Sequence, residues 1–148
     1  MARFVIVIKV MGALEKRDVL IVDDDVSIRN LLGHALRRAG ILCTLAADGL
    51  EAAHRIHEAE YAIVLLDLMM PRVDGFGFLE YLREWEESYG ARPVVLLMTA
   101  AAEEKEFTAA GDVVQAVIPK PFDIGEVAEI CQQCVAVRRE YESAIATI

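Results

Sequence analysis

Ala62-Ile63-Val64-Leu65-Leu66-Asp67 is apolar on both faces for five residues and then stops at an acid. A strand with one wet face would alternate, and a helix would need a longer run. The segment therefore predicts a short strand buried on both sides. Working outward from it, Leu50 to Glu58 reads as an amphipathic helix and Ile41 to Leu45 as a strand. Gly40 is a stop signal for a helix from Ile28 to Ala39, whose apolar positions are Ile28, Leu31, Leu32, Ala35, Leu36 and Ala39. Before that helix, the strand Val19-Leu20-Ile21-Val22 ends at Asp23. Downstream, Phe76 to Trp85 carries Phe78, Leu79, Leu82 and Trp85 at helical spacing, and Val94 to Met98 is a fourth strand. A short helix over Glu103 to Ala110, a strand from Val113 to Ile118 and a long helix from near Asp123 complete the pattern. Alternating helices and doubly buried strands predict an α/β fold: a doubly wound, five-stranded parallel sheet with helices on both faces.

In such sheets ligands sit beyond the carboxyl ends of the strands. The residues found there are Asp23-Asp24-Asp25 after the first strand and Asp67 after the third. Thr99 follows the fourth strand and Lys120 the fifth. Crowded carboxylates repel one another, and a divalent cation relieves that cost. Mg2+ suits such oxygen ligands and takes one or two carboxylates alongside phosphate oxygens. With the charge neutralised, a carboxylate can attack a phosphoryl group, while a lysine and a hydroxyl meet the phosphoryl oxygens. Singly these residues mean little: Asp25 reads as a helix cap, Thr99 as another, Lys120 as a surface lysine. Their placement at four strand ends is what carries the reading.

The charge balance points the same way. With 24 acidic against 15 basic side chains the net charge is −9, which disfavours direct binding to nucleic acid. Cys43, Cys131 and Cys134 are odd in number and irregularly spaced, so they predict no disulfide framework and suit a reducing, cytoplasmic setting. No apolar run approaches the ~20 residues of a membrane span. The run Phe4-Val5-Ile6-Val7-Ile8 reads as a strand or a leader ahead of the domain.

The segments Leu20-Ile21-Val22-Asp23-Asp24-Asp25-Val26-Ser27-Ile28-Arg29, Leu66-Asp67-Leu68-Met69-Met70-Pro71-Arg72-Val73-Asp74-Gly75, Met98-Thr99-Ala100 and Pro119-Lys120-Pro121-Phe122 together resemble the response-regulator receiver domains of two-component signalling. The resemblance runs from about Asp18 to about Ala136. It implies the flavodoxin-like receiver fold, with residues 1–17 as an extension or leader, 18–136 as the receiver domain and 137–148 as a helical extension. It further implies that Asp67 is the phosphoacceptor, and that Mg2+ is held by Asp24, by Asp67, by Asp23 through water and by the backbone carbonyl of Met69. Thr99 and Lys120 would contact phosphoryl oxygens, the Lys120–Pro121 peptide would be cis, and a sensor histidine kinase would be the donor. Such a domain is a signalling switch that catalyses only its own phosphoryl transfer and dephosphorylation. Many members carry Tyr or Phe three residues before the lysine, where this chain has Val117. The stretch from Thr99 to Gly111 is also shorter than usual, and Gly111 to Lys120 longer.

Two rival functions remain at this level. A haloacid-dehalogenase-type phosphohydrolase also uses a strand-end aspartate, but it expects a second acid two residues on, where Met69 stands. A binding module that is never phosphorylated would not need the full residue set. Cys131-Gln132-Gln133-Cys134 on a helix favours core packing over redox or zinc chemistry. His54 and His57 read as surface residues, and Phe78, Tyr81 and Trp85 as packing. On the last helix Ile124, Val127, Cys131 and Val135 form a stripe suited to the domain core. A second stripe, Ile130, Cys134, Val137, Tyr141, Ala144 and Ile148, has heptad spacing. It leaves three expectations open: a homodimer through this helix, a link to an output domain, or a tail folded back on its own domain.

Overall fold

In the computed structural model of the chain, residues 15–68, 70, 75–89, 92–100 and 113–146 are described. Strands β1 (Glu15–Val22), β2 (Cys43–Ala46), β3 (Ala59–Asp67), β4 (Val94–Thr99) and β5 (Val114–Pro119) form one sheet in the order β2-β1-β3-β4-β5. Every pairing is parallel. Helices α1 (Val26–Arg38), α2 (Gly49–Glu58), α3 (Gly75–Tyr89) and α4 (Ile124–Ala146) cover it. The helix expected over 103–110 lies outside the described residues.

Two apolar layers flank the sheet. On one side Ala52 and Ile56 of α2 and Phe78, Leu79 and Leu82 of α3 pack on Leu20, Val64, Leu66 and Leu97. On the other, Leu32 and Leu36 of α1 and Val127, Cys131 and Val135 of α4 pack on Val19, Ile21, Ile63 and Leu65. The inner stripe expected on the last helix is therefore the one that enters the core. Cys131 is buried and Cys134 half-buried in that layer, and burial pushes the Cys131 thiol up to about 12.

The central strands begin earlier than the apolar pattern indicates. β1 starts at Glu15 and pairs Glu15 with Ala59, Lys16 with Glu60 and Arg17 with Tyr61. Charged side chains at that end of the sheet hide the strand from a hydrophobic reading, while the backbone ladder continues regardless. Strand β2 starts later than expected. Gly40 adopts a left-handed φ of 78°, and two further residues are needed before the chain joins the ladder at Cys43.

Caps hold the helix starts. Asp25 accepts hydrogen bonds from the N–H groups of Ser27 (2.9 Å) and Ile28 (3.1 Å). Asp48 accepts from the Glu51 N–H, and Glu51 reaches back to the N–H of Ala47, the residue before the cap, each at 2.9 Å, a reciprocal arrangement akin to a capping box but displaced by one residue.

Helix α4 runs unbroken across residue 136. Arg138 donates to the Tyr61 carbonyl at 2.8 Å, Arg139 pairs with Asp18 at 2.9 Å, and Glu142 lies 3.5 Å from Lys16. These contacts tie the last turns to the amino ends of β1 and β3. Of the outer stripe, Val137 is 66% and Tyr141 67% exposed, Cys134 is half-buried against the core, and Ile148 lies outside the described residues. No described helix is long and apolar enough to cross a membrane.

Candidate functional site

The reversal of strand order falls between β1 and β3, and the acids stand at the carboxyl ends of those two strands. Asp23 immediately follows β1, its backbone N–H donating to the Ala46 carbonyl at 3.2 Å, and its side chain is fully buried. Asp67 closes β3 and is 6% exposed. Asp24 faces solvent. One carboxylate oxygen from each of Asp23, Asp24 and Asp67 lies within 4.8 Å of the others.

Lys120, just past β5, enters this cluster with its ammonium 2.9 Å from Asp23 Oδ2 and 3.5 Å from Asp67 Oδ2. Burial pulls the lysine pKa down, but the hydrogen bond to Asp23 and the charges of Asp23 and Asp67 outweigh it, and the net shift is upward. Its backbone N–H donates to the Thr99 carbonyl at 2.8 Å, joining the ends of β4 and β5. The Lys120–Pro121 peptide is cis. Thr99 is 2% exposed at the end of β4, one residue past the Asp67–Met98 pair. Four of the strand-end features read from the sequence thus converge on one crevice, while Met69 lies outside the described residues. Val117 pairs with Leu97 and is half-buried against the layer formed with α2 and α3.

Two residues quoted in the motifs take parts that the sequence did not assign. Arg29, in the first turns of α1, donates from Nη1 to the Asp23 carbonyl at 2.7 Å. Gly75, opening α3, packs so closely that a Cβ there would sit 2.5 Å from Leu68 Cα and 2.7 Å from the Asp67 carbonyl oxygen. Its N–H donates to the Leu68 carbonyl at 3.1 Å. A glycine eight residues beyond a strand-end acid was a visible signal for such an approach, whereas an arginine on a helix carried none.

Other features fall away from the site. His54 and His57 are exposed, and His57 hydrogen-bonds the Tyr81 hydroxyl and lies edge-on to Trp85, bridging α2 and α3. Among the described residues the aspartate trio is the one group arranged to hold a metal ion. Its donors are hard oxygens at a spacing that a small divalent cation can span, and Asp24 has no partner among the described residues.

Comparison with known proteins agrees with this geometry. Residues 19–132 match the family described as response regulator receiver domain. The DNA-binding transcriptional regulator NtrC of Proteus hauseri is 28% identical over 127 residues, which cover 86% of this chain and 26% of that protein. The transcriptional activator protein PfeR of Pseudomonas aeruginosa is 32% identical over 73% of this chain and 34% of its own length. The chain thus spans about a quarter to a third of these relatives. The receiver domain of the Francisella response regulator 1452 superposes with a TM-score of 0.72 at 26% identity, covering 83% of this chain and 99% of that one. With its five-stranded parallel sheet, its acid-lined crevice and a family match spanning most of its length, the chain belongs to the response regulator receiver domains of two-component signalling.

Proposed function

We propose that Asp67 accepts a phosphoryl group from a phosphohistidine of a sensor kinase in a Mg2+-dependent reaction, and that the modified domain controls a downstream output. The observation that supports this most is the junction of three carboxylates within 4.8 Å with a lysine ammonium 2.9 and 3.5 Å from two of them. A carboxylate oxygen of Asp67 forms the new P–O bond as the P–N bond to the imidazole breaks. The departing nitrogen takes a proton from solvent, and the product is an acyl phosphate. Asp24, Asp67, the Met69 carbonyl and, through water, Asp23 would hold Mg2+, which would supply charge neutralisation for the crowded carboxylates and the incoming phosphoryl group. Lys120 transfers its contact from the aspartates to a phosphoryl oxygen, and the Thr99 hydroxyl donates to another. Thr99 and Lys120 are joined through their backbones, so a shift of one is felt by the other. Val117 stands where an aromatic would otherwise follow such a shift. The output step here therefore relies on the β4–β5 ends without that ring.

The test is incubation with acetyl phosphate and Mg2+ followed by intact mass. The wild type gains one acid-labile phosphoryl group, and Asp67→Asn, which keeps the shape and loses the nucleophile, gains none. Labelling that persists in Asp67→Asn would overturn the assignment, and sustained turnover of small phosphate esters would favour a phosphohydrolase instead.

A further inference from the structure

Among the three clustered acids, Asp24 is the one whose carboxylate is exposed and has no partner among the described residues. Its oxygen nevertheless lies within 4.8 Å of theirs. What places it must be its backbone. The peptide plane on its amino side carries the Asp23 carbonyl, which accepts the Arg29 Nη1 hydrogen bond at 2.7 Å. The plane on its carboxyl side carries the Asp25 N–H, which donates to Asp23 Oδ1 at 2.9 Å. Peptide groups are rigid, so holding both planes fixes the two dihedrals of the residue between them. Asp23 is itself held at its N–H by Ala46 and at its other carboxylate oxygen by Lys120. Arg29 is anchored in turn, its own N–H donating to the Asp25 carbonyl at 3.0 Å within a helix that Asp25 caps.

We infer that Arg29 is a positioning residue of the metal site, locking the Asp23–Asp24 peptide plane so that the Asp24 carboxylate is aimed at the cation before it binds. This rests on reading the aspartate cluster as a Mg2+ site. A guanidinium beside a cation site has an opposite effect through charge alone, since it repels the incoming ion. The two effects differ in sign, and that makes them separable. If Arg29 acted only as a charge, Arg29→Gln would tighten Mg2+ binding. As a positioning group it weakens binding on removal, and groups that orient metal ligands are typically worth ~10–100-fold in affinity.

Calorimetric titration of Mg2+ into wild type, Arg29→Gln, Arg29→Lys and Asp24→Ala decides the matter, with urea melts confirming that each variant folds. The expected order is wild type tightest, Arg29→Lys intermediate, Arg29→Gln weaker by about tenfold, and Asp24→Ala weakest. In the metal-free protein, amide exchange at Asp24 and Asp25 speeds up in Arg29→Gln and is largely restored in Arg29→Lys. Mg2+ bound by Arg29→Gln as tightly as by the wild type, or more tightly, would overturn the inference while leaving the Mg2+ reading intact. A wild type that binds no Mg2+ would overturn both.

Discussion

Replacing Lys120 by methionine keeps much of the apolar stem and removes an ammonium that bridges Asp23 and Asp67. The ammonium lies 2.9 Å from the first and 3.5 Å from the second, with side-chain exposures of 17% for the lysine, 0% for Asp23 and 8% for Asp67. Removing one partner of a buried ion pair typically costs ~3–5 kcal/mol, mostly because the remaining charge is stranded. Asp23 keeps its hydrogen bond from the Asp25 N–H, so the lower end, about 3 kcal/mol, is expected here. Domains of this size hold ~5–15 kcal/mol, so the variant still folds. With m-values of ~1–3 kcal/mol/M, its urea midpoint in EDTA drops by about 1–3 M. A divalent cation can replace the lost ammonium, so Mg2+ raises the midpoint of Lys120→Met by more than it raises that of the wild type. The pH dependence follows from the raised lysine pKa. The stabilisation is complete below the ordinary value of 10.5 and is lost as pH climbs through the higher folded value. The gap between wild type and variant in EDTA is therefore flat through neutral pH and closes in strong alkali. A loss below ~1 kcal/mol, the range of exposed pairs, or equal stabilisation of both proteins by Mg2+, would refute the reasoning.

Gly75→Ala forces a methyl onto the Leu68 and Asp67 backbone, which cannot yield as a side chain would. It should cost ~1–3 kcal/mol in urea melts and slow labelling of Asp67 by acetyl phosphate. In native protein at pH 8 a thiol reagent should modify Cys134 quickly and leave Cys131 untouched, because Cys131 is fully buried with its pKa near 12. Rapid modification of Cys131 would mean that α4 opens readily. Truncation after Ala136 removes the Arg138–Tyr61, Arg139–Asp18 and Glu142–Lys16 contacts and should lower stability by about 1–3 kcal/mol, dominated by the charged hydrogen bond to the Tyr61 carbonyl. Sedimentation of the same pair tests self-association through Val137 and Tyr141: a full-length chain that stays monomeric like the truncation sinks the dimer.

Most of the fold and most of the crevice were legible in the sequence, and both for the same reason. Strands buried on both faces must be continuously apolar, so a polar residue that ends such a run marks the strand end. In a parallel sheet those ends lie together. Asp23, Asp67 and Thr99 were therefore placed by short-range pattern alone, whereas Lys120 follows β5, a partly exposed edge strand interrupted by Gln115, and was placed by its position in the alternation of elements. The first residues of β1 were not, because Glu15, Lys16 and Arg17 pair through backbone groups that every residue type carries. The heptad stripe on α4 showed which side of the helix is apolar, but not that Arg138, Arg139 and Glu142 would tie the helix back to the sheet. Only the tertiary structure decided that Lys120 lies nearer Asp23 than Asp67, that Gly75 abuts the Asp67 carbonyl, and that Arg29 bonds the Asp23 backbone. These are contacts of a few ångströms between groups set by helix placement and side-chain rotamer. Hydrophobic periodicity reports which face of an element is buried and carries no information about where a particular polar atom comes to rest.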